Sequence, residues 1–425
     1  MIDLRPVRGT RDFYPPQLRL RQWLFDIWRR TSAQFGFEEY DACILESEAL
    51  YVRKAGDEIT EQLYSFQDKG NRRLALRPEM TPTLARLILQ REKALGFPLK
   101  WFSIPQCFRY ERMTRGRKRE HYQWNLDIVG QPGNVAEVEV ISALIMSLEA
   151  MGLDASRVRL HVNDRRLLGE VLDHIGIPAE RHLPVMVVMD KRDKVAPESL
   201  AAMLAEQGLT GPQLEKLNAF LAMEGLDEVQ HALGDDSAGA RALDDLLSLM
   251  GRVGFGDTLV FDITVVRGLS YYTGTVFELR DRSASLRAIC GGGRYDSLLS
   301  TYGGPEIPAI GFGFGDVVIL ELLGDLDLLP DLRSEIDYVV FPFSDEQVPA
   351  ALEISQQLRR KGYRADADFG SRKLKRALQR AGDMGARHAI LLMPDEMARG
   401  EIVVRDLERR EEQRVGLEDF LEGLG

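Results

Sequence analysis

The stretch Cys107–Gly130, CFRYERMTRGRKREHYQWNLDIVG, constrains this chain more than any other. Between Arg109 and Arg119 it carries Arg109, Arg112, Arg115, Arg117, Lys118 and Arg119 against Glu111 and little else acidic. Phe108 and Tyr110 alternate with charged neighbours, Arg115-Gly116 punctuates, and Tyr122, Trp124, Leu126 and Ile128 resume alternation at period two. The pattern predicts strand, basic loop, strand. Guanidinium groups so crowded repel one another unless anions neutralise them, and phosphate matches their planar donor fork. A merely solvated basic hairpin has the same charges. It has no need, however, of the aromatic and acidic return run His121, Tyr122, Gln123, Trp124, Asn125 and Asp127.

Composition narrows the class. A chain of 425 residues accommodates two or three domains with a substantial core. The net charge of -11 argues against indiscriminate nucleic-acid binding and leaves room for a local basic footprint. Cys43, Cys107 and Cys290 are widely separated, which suits a reducing compartment, and the histidines do not cluster into a metal site. The start, MIDLRPVRGTRDFYPP, has neither signal-peptide nor transit-peptide character, and no apolar run is long enough to span a bilayer. A soluble cytoplasmic protein without a membrane partner is expected. No GxGxxG follows a strand, and GxxxxGK[ST], HExxH, CxxC and GxSxG are absent, so dinucleotide and P-loop readings lack support.

Along the chain, a helix is expected from about Leu18 to Phe35, ended by Gly36, then a loop at Arg53-Lys54-Ala55-Gly56. A hairpin follows around Lys69-Gly70-Asn71. Thr81 can cap the next helix, with Pro82 in its first turn, which puts Glu79 at a strand-to-helix junction. After helix 134–151 and a strand from Arg157 to Val162, residues from about 164 to 254 read as an inserted helical module around one short strand, Pro184–Met189. Strands return over 259–266 and 276–279; Gly291 to Asp296 opens a helix, and the glycine run alone signals a tight turn or close backbone packing. Leu326–Ser334 reads as a linker between a domain over 1–325 and a βαβαβ domain over 335–425. In the latter, a Ser371-capped helix buries Leu374 and Leu378 and turns Arg372, Lys373, Lys375, Arg376 and Arg380 outward, toward an RNA backbone or simply toward solvent.

Five motifs occur in order: RPEMT (77–81), FRYER (108–112), HYQWNLD (121–127), RGLSYYTGTVFE (267–278) and GGGRYD (291–296). Together they resemble histidyl-tRNA synthetases, class II aminoacyl-tRNA ligases, over nearly the whole chain. The resemblance implies an α+β catalytic domain with a mainly antiparallel sheet, a helical insertion, a C-terminal α/β anticodon-binding domain and a homodimer. It implies histidine, ATP and histidine tRNA as partners, Mg²⁺ accompanying the ATP, and no bound prosthetic group. Arg109 and Arg267 would be the catalytic pair on the α-phosphate, with Glu111 beside the nucleotide. Glu79, Thr81 and Gln123 would hold the α-amino group, and Asp127 and Tyr272 the imidazole, with Tyr271 and Tyr295 lining the pocket. Arg112 and Arg115 would approach the tRNA acceptor end, and Arg372, Lys373 and Arg376 offer a second tRNA contact.

Three departures stand out. The third class motif usually ends in a Glu-Arg pair whose arginine holds ATP; here GFGFG is followed by Asp316-Val317-Val318, leaving the triphosphate without that partner. YDACILE lacks the proline usual in the dimer-forming motif, and Ser270 replaces a common Asp. The competing reading is a non-catalytic relative, the regulatory subunit of ATP phosphoribosyltransferase. Such proteins lose the C-terminal domain and erode the basic hairpin, both of which this sequence keeps. A tRNA-sensing module joined to a kinase lacks any kinase signature here.

Overall fold

Tyr14-Pro15-Pro16 opens the first helix, Pro15–Gln34, because a proline at the first helical positions removes no hydrogen bond. Leu24, Phe25, Ile27, Trp28 and Thr31 are its buried face, and Gly36, at φ 73°, follows its end. The computed structural model describes residues 2–52, 62–192, 195–234, 236–267, 271–283, 286–333, 336–370 and 372–424. The loop expected at Arg53–Gly56, the Gly268–Ser270 part of the RGLSYY motif, Ser334 and the capping Ser371 lie outside these residues.

The strands of the first unit are β1 (Glu38–Glu39), β2 (Leu45–Ser47), β3 (Tyr64–Gln67), β4 (Arg73–Leu76), β5 (Leu99–Ser103), β6 (Gln106–Phe108), β7 (Glu120–Val129), β8 (Val158–Asp164), β9 (Leu259–Phe261), β10 (Thr275–Asp281), β11 (Cys290–Arg294) and β12 (Ala309–Gly315). Among the described residues the main sheet runs β1-β5-β7-β12-β11-β10-β8-β9, with β6 on β7, and β2-β4-β3 form a small sheet. Every neighbour in the main sheet is antiparallel except the two outermost pairs, β1 with β5 and β8 with β9. The mainly antiparallel sheet expected from the resemblance is therefore present.

Period-two alternation assigns the faces of β7. Trp124, Leu126 and Ile128 enter the core beneath helices Pro15–Gln34 and Asn134–Glu149, where Trp124 stacks on Trp28 at 5.9 Å and its indole N–H donates to Ser32 Oγ at 3.0 Å. Gln123, Asn125 and Asp127 take the opposite face. The core thus lies on one side of the sheet and the polar row on the other.

Several local expectations change. Pro184–Met189 is not a strand but the second half of helix Ala179–Met189; Val185, Met186, Val188 and Met189 are all buried, so the run lost the polar face that marks a helix in sequence. Gly291–Arg294 is strand β11, not a helix start, and the helix comes later, at Leu298–Thr301. Thr81 does not cap its helix: it is the first helical residue of Thr81–Arg91, after an uncapped Met80 that is fully buried. The helices of the 164–254 region, beginning with Arg165–His174 and ending with Ala238–Arg252, include Leu226–Leu233, which the sequence pattern did not single out.

Contacts divide the chain between Leu329 and Pro330. In the second unit β13 (Ile336–Pro342), β14 (Ala365–Ala367), β15 (Ala386–Leu392), β16 (Glu401–Asp406) and β17 (Glu412–Gly416) are ordered β14-β13-β15-β16-β17, the first three parallel and the last two antiparallel. β14 and β17 are short or exposed, which hid them from a hydrophobicity pattern. Helix Leu374–Asp383 buries Ala377 and Ala381; Leu374, expected inside, is 38% exposed.

Candidate active site

Glycines make the floor. On β12 and β11 Gly311 lies opposite Gly293 and Gly313 opposite Gly291. A Cβ at Gly311 would strike the Asp127 carboxylate, and one at Gly313 the Gln123 amide. One at Gly291 would strike the Arg267 guanidinium, and at Gly293 it would come within 2.9 Å of the Tyr272 ring. Four glycines thus clear room for four side chains assigned to one site. The Gly291–Gly293 run is close packing inside a sheet.

Asp127 sits in that floor between Trp101 on β5 and Gly311 on β12, 3% exposed, and accepts a hydrogen bond from the Tyr295 hydroxyl. Burial pushes its carboxyl up to about 7, against the lowering effect of that bond. Tyr295 is itself buried and meets Tyr271 and Tyr272, with ring centroids 5.9 and 6.5 Å away. Gln123 Oε1 and Asn125 Oδ1 are buried on the same face without a hydrogen-bond partner. Unpaired buried amide oxygens point to a polar ligand.

Glu79 is where the junction reading placed it. Arg77 fixes the turn: it is almost fully buried, donating from Nε to Gln106 O at 3.0 Å and from Nη1 to Ala42 O at 2.9 Å. Glu79 is 7% exposed and accepts from the Tyr271 hydroxyl at 3.3 Å. Burial raises its pKa, and the nearby Arg109 charge opposes the rise. Thr81 also interacts with the Tyr271 hydroxyl. Glu79, Thr81, Tyr271, Tyr272, Tyr295 and Asp127 therefore form one chain of contacts around a pocket.

The arginines divide in two. Arg109 donates from Nε to Pro78 O at 2.9 Å and has no carboxylate partner among the described residues. Arg267 stands at φ 56°, a left-handed backbone unusual for a side-chain-bearing residue. Its Nη1 pairs with Glu278 Oε2 at 2.7 Å, while its buried Nε has no partner. Glu278 also holds Arg280 at 2.8 Å, so the carboxylate positions two guanidiniums at once. Part of the basic hairpin is neutralised from within the protein. Glu111 pairs with Arg117 at 2.7 Å, Arg115 with Glu321 at 3.1 Å and Asp325 at 2.5 Å, and Arg119 lies over the Tyr110 ring at 3.8 Å. Carboxylates thus answer much of the repulsion that phosphate alone was expected to relieve. Arg112 is exposed, lining a shallow hollow of about 410 Å³ with Arg8 and Arg119.

Asp316, at the end of GFGFG, is fully buried and accepts from the Tyr122 backbone N–H at 2.9 Å and lies 3.0 Å from the Arg11 guanidinium. Burial lifts its carboxyl to about 6. Val318 is buried beneath Gly116. In the second unit Arg372 is engaged by Pro342 O, Ser344 O and Asp345, and Arg380 by Asp368. Lys373 and Arg376 remain exposed, without an ion pair among the described residues. Sequence reasoning missed Asn125 and Glu278. Asn125 was legible as the middle member of an i, i+2, i+4 row with Gln123 and Asp127; Glu278 is visible only once β10 lies beside Arg267.

Fold and site together define a pocket on an antiparallel sheet, acidic at its Glu79–Asp127 end and cationic around Arg109 and Arg267. Residues 9–315 match the family model for histidyl-tRNA synthetase, and residues 337–425 match that for an anticodon binding domain. The chain is 46% identical over 419 residues to the chloroplastic/mitochondrial histidine–tRNA ligase of Arabidopsis thaliana, covering 99% of this chain and 86% of that one. It is 38% identical over 422 residues to the histidine–tRNA ligase of Opitutus terrae, covering 98% and 96%. The crystal structure of histidyl-tRNA synthetase from Nostoc shares the fold, with a TM-score of 0.82 at 24% identity, covering 100% of this chain and 99% of that one. This chain belongs to the histidyl-tRNA synthetase family.

Proposed function

We propose that the chain is a histidine–tRNA ligase of class II. A carboxylate oxygen of histidine attacks the α-phosphorus of ATP and pyrophosphate leaves; a hydroxyl of the terminal tRNA ribose then attacks the carbonyl of the adenylate and AMP leaves. The substrate's own carboxylate is the nucleophile, so the protein supplies position and positive charge, not an activated side chain. The observation that carries this reading is the pairing of a buried acidic and aromatic pocket, Asp127 with Tyr295 and Glu79 with Tyr271, with two arginines aligned to the same face.

In this reading Asp127 and Tyr272 take the imidazole, while Glu79, Thr81 and Gln123 take the α-amino group. Tyr271 and Tyr295 enclose the ligand. Arg109 and Arg267 flank the α-phosphate, with Glu111 near the nucleotide through Arg117. Arg112 meets the acceptor end directly, whereas Arg115 has to exchange Glu321 and Asp325 for tRNA phosphate. Residues 335–425, with Arg372, Lys373 and Arg376, contact the tRNA beyond the acceptor end, joined to the 1–325 domain by 326–334. Mg²⁺ enters on the phosphate oxygens, because the described residues hold no acidic or histidine cluster to ligate it and Glu111 and Glu278 already face arginines. The protein works as a homodimer, and its free thiols suit the cytoplasm. Among the described residues no helix is long and apolar enough to cross a membrane.

Histidine-dependent ATP–pyrophosphate exchange on the purified chain, without tRNA, is the first test. Robust exchange is expected; histidine binding with no exchange supports the regulatory-subunit reading instead. Two further outcomes follow from Asp127. Asp127→Ala is expected to weaken histidine binding by about 100-fold or more while leaving ATP binding intact, because a buried polar site rejects a ligand it leaves unpaired. Equal losses for both ligands remove Asp127 from the pocket. Because burial holds its carboxyl up at about 7 and the ionised form accepts the imidazole N–H, histidine affinity, corrected for the titration of the free imidazole, is expected to rise from pH 6 to pH 8. Asp127→Asn flattens that profile in calorimetric titration; an unchanged slope assigns the proton elsewhere.

A further inference from the structure

Arg287 belongs to none of the five motifs. It lies on the segment between β10 and β11, three residues before Cys290, and is exposed. It has no ion pair or hydrogen bond among the described residues, unlike Arg115 and Arg117 of the facing hairpin, which are both held by carboxylates. Its position is marked by two neighbours, Gly116 and Val318. Its Cγ lies 4.0 Å from where a Cβ on Gly116 would stand, and the Val318 methyl reaches the same point at 3.3 Å. Arg287 therefore projects over the tip of the basic hairpin beside the first turn of helix Asp316–Asp325.

The electrostatics agree with this geometry. Protein around the guanidinium, and then the charges of Arg117, Arg109 and Arg267, hold the pKa of Arg287 down at about 10, with Glu111 opposing them. His121 registers the same field: burial first, then Arg109 and Arg287, lower its ring to about 3. Arg287 thus belongs to the His121 end of β7, six residues or roughly 20 Å of extended strand from Asp127. Three cations, Arg109, Arg267 and Arg287, converge there, and the one carboxylate among them that is not held by Arg267, Glu111, is bound to Arg117. Arg267 has Glu278, but Arg109 and Arg287 have no carboxylate partner among the described residues, an arrangement that favours a bound anion.

We propose that Arg287 binds the distal phosphates of ATP, the part that leaves as pyrophosphate, on the side of the site where helix Asp316–Asp325 presents Val318 and no cation. This rests on the ligase reading above. Histidine at the Asp127 end and the α-phosphate between Arg109 and Arg267 leave the hairpin end for the β- and γ-phosphates, and the planar fork of Arg287 stands there without an ion pair among the described residues. Arg287 is a binding residue: it offers charge to phosphate oxygens and takes no proton.

The test is Arg287→Ala, with Arg287→Lys beside it, in ATP–pyrophosphate exchange and in calorimetric binding of ATP, pyrophosphate and AMP. Arg287→Ala is expected to raise the KM for ATP and for pyrophosphate roughly 10- to 100-fold, the loss of one charge-assisted contact, with AMP and histidine affinities unchanged. Arg287→Lys restores part of the loss. An unchanged KM for ATP and pyrophosphate makes Arg287 a solvated surface arginine and overturns the proposal. An equal loss for AMP also overturns it, by moving Arg287 off the distal phosphates. If the parent chain shows no exchange, the ligase reading fails; direct pyrophosphate binding to the parent and to Arg287→Ala still decides whether Arg287 holds a polyphosphate.

Discussion

Arg267→Ala should lower the rate of histidine-dependent ATP–pyrophosphate exchange by about 10²- to 10³-fold while histidine still binds, because a fixed cation facing developing charge acts on the transition state more than on the ground state. The local structure is arranged around this one side chain. Its backbone takes φ 56°, which disfavours a residue with a Cβ by about 1–2 kcal/mol. Glu278 grips Nη1 and is itself anchored to Arg280. Gly291 leaves the space that the guanidinium fills. A strained conformation held from three sides marks a group whose placement matters more than the stability it forfeits. Arg267→Gly separates the two effects: it relieves the backbone and should leave thermal stability equal or improved while exchange is lost. Arg267→Lys keeps the charge but not the planar fork and should recover little. Histidine affinity falling in parallel with rate would make Arg267 a pocket-wall residue, and full activity in Arg267→Ala would remove it from the reaction.

Much of this site was legible in the order of residues, and the reason differs from place to place. The row Gln123, Asn125, Asp127 opposite Trp124, Leu126, Ile128 was readable because polar and apolar residues alternate from Tyr122 to Ile128, although both faces of β7 are buried from Trp124 onward. The position of Glu79 followed from a strand meeting a proline-bearing helix start. By contrast, nothing local distinguishes Gly291–Gly293 as a strand from a turn. What makes it a strand is the pairing of β11 with β10 and β12, and what requires glycine is the set of side chains crossing above it. Thr81 failed as a cap for a similar reason: Met80 is pulled fully into the core, and the hydroxyl turns to Tyr271. Pro184–Met189 misled because the buried half of a helix and a buried strand have the same composition. The neutralisation of Arg115 by Glu321 and Asp325 spans more than 200 residues of sequence, so no pattern within the hairpin reports it.

Glu137→Gln is expected to destabilise the 1–329 unit by about 3–5 kcal/mol, read as a lower urea midpoint for its unfolding transition. Glu137 is 1% exposed on helix Asn134–Glu149, and Arg294 closes β11 at 7%. They form a forked pair, Nε to Oε1 and Nη2 to Oε2, both at 2.6 Å. Two of the remaining three donors are taken by Asp296 at 3.0 Å and the Gly133 carbonyl at 3.0 Å. Removing the Glu137 charge leaves Arg294, in a nearly dry site, with the partly exposed Asp296 as its one carboxylate among the described residues, a larger penalty than the pair's net contribution. A paired replacement, Glu137→Met with Arg294→Met, should therefore recover much of the loss, which separates the stranded charge from simple packing damage. The same clamp bears on the pocket. Arg294 O accepts from Thr273 N at 2.8 Å, the next residue, Tyr295, is tied to Ala309 O at 2.7 Å, and its hydroxyl donates to Asp127. Slackening β11 at Arg294 thus moves the tyrosine that holds the Asp127 carboxylate. In Glu137→Gln the KM for histidine should rise more than the KM for ATP, even at temperatures where the variant is fully folded. A destabilisation below about 1 kcal/mol would place the pair among ordinary surface bridges; equal changes in both KM values would uncouple the clamp from Tyr295.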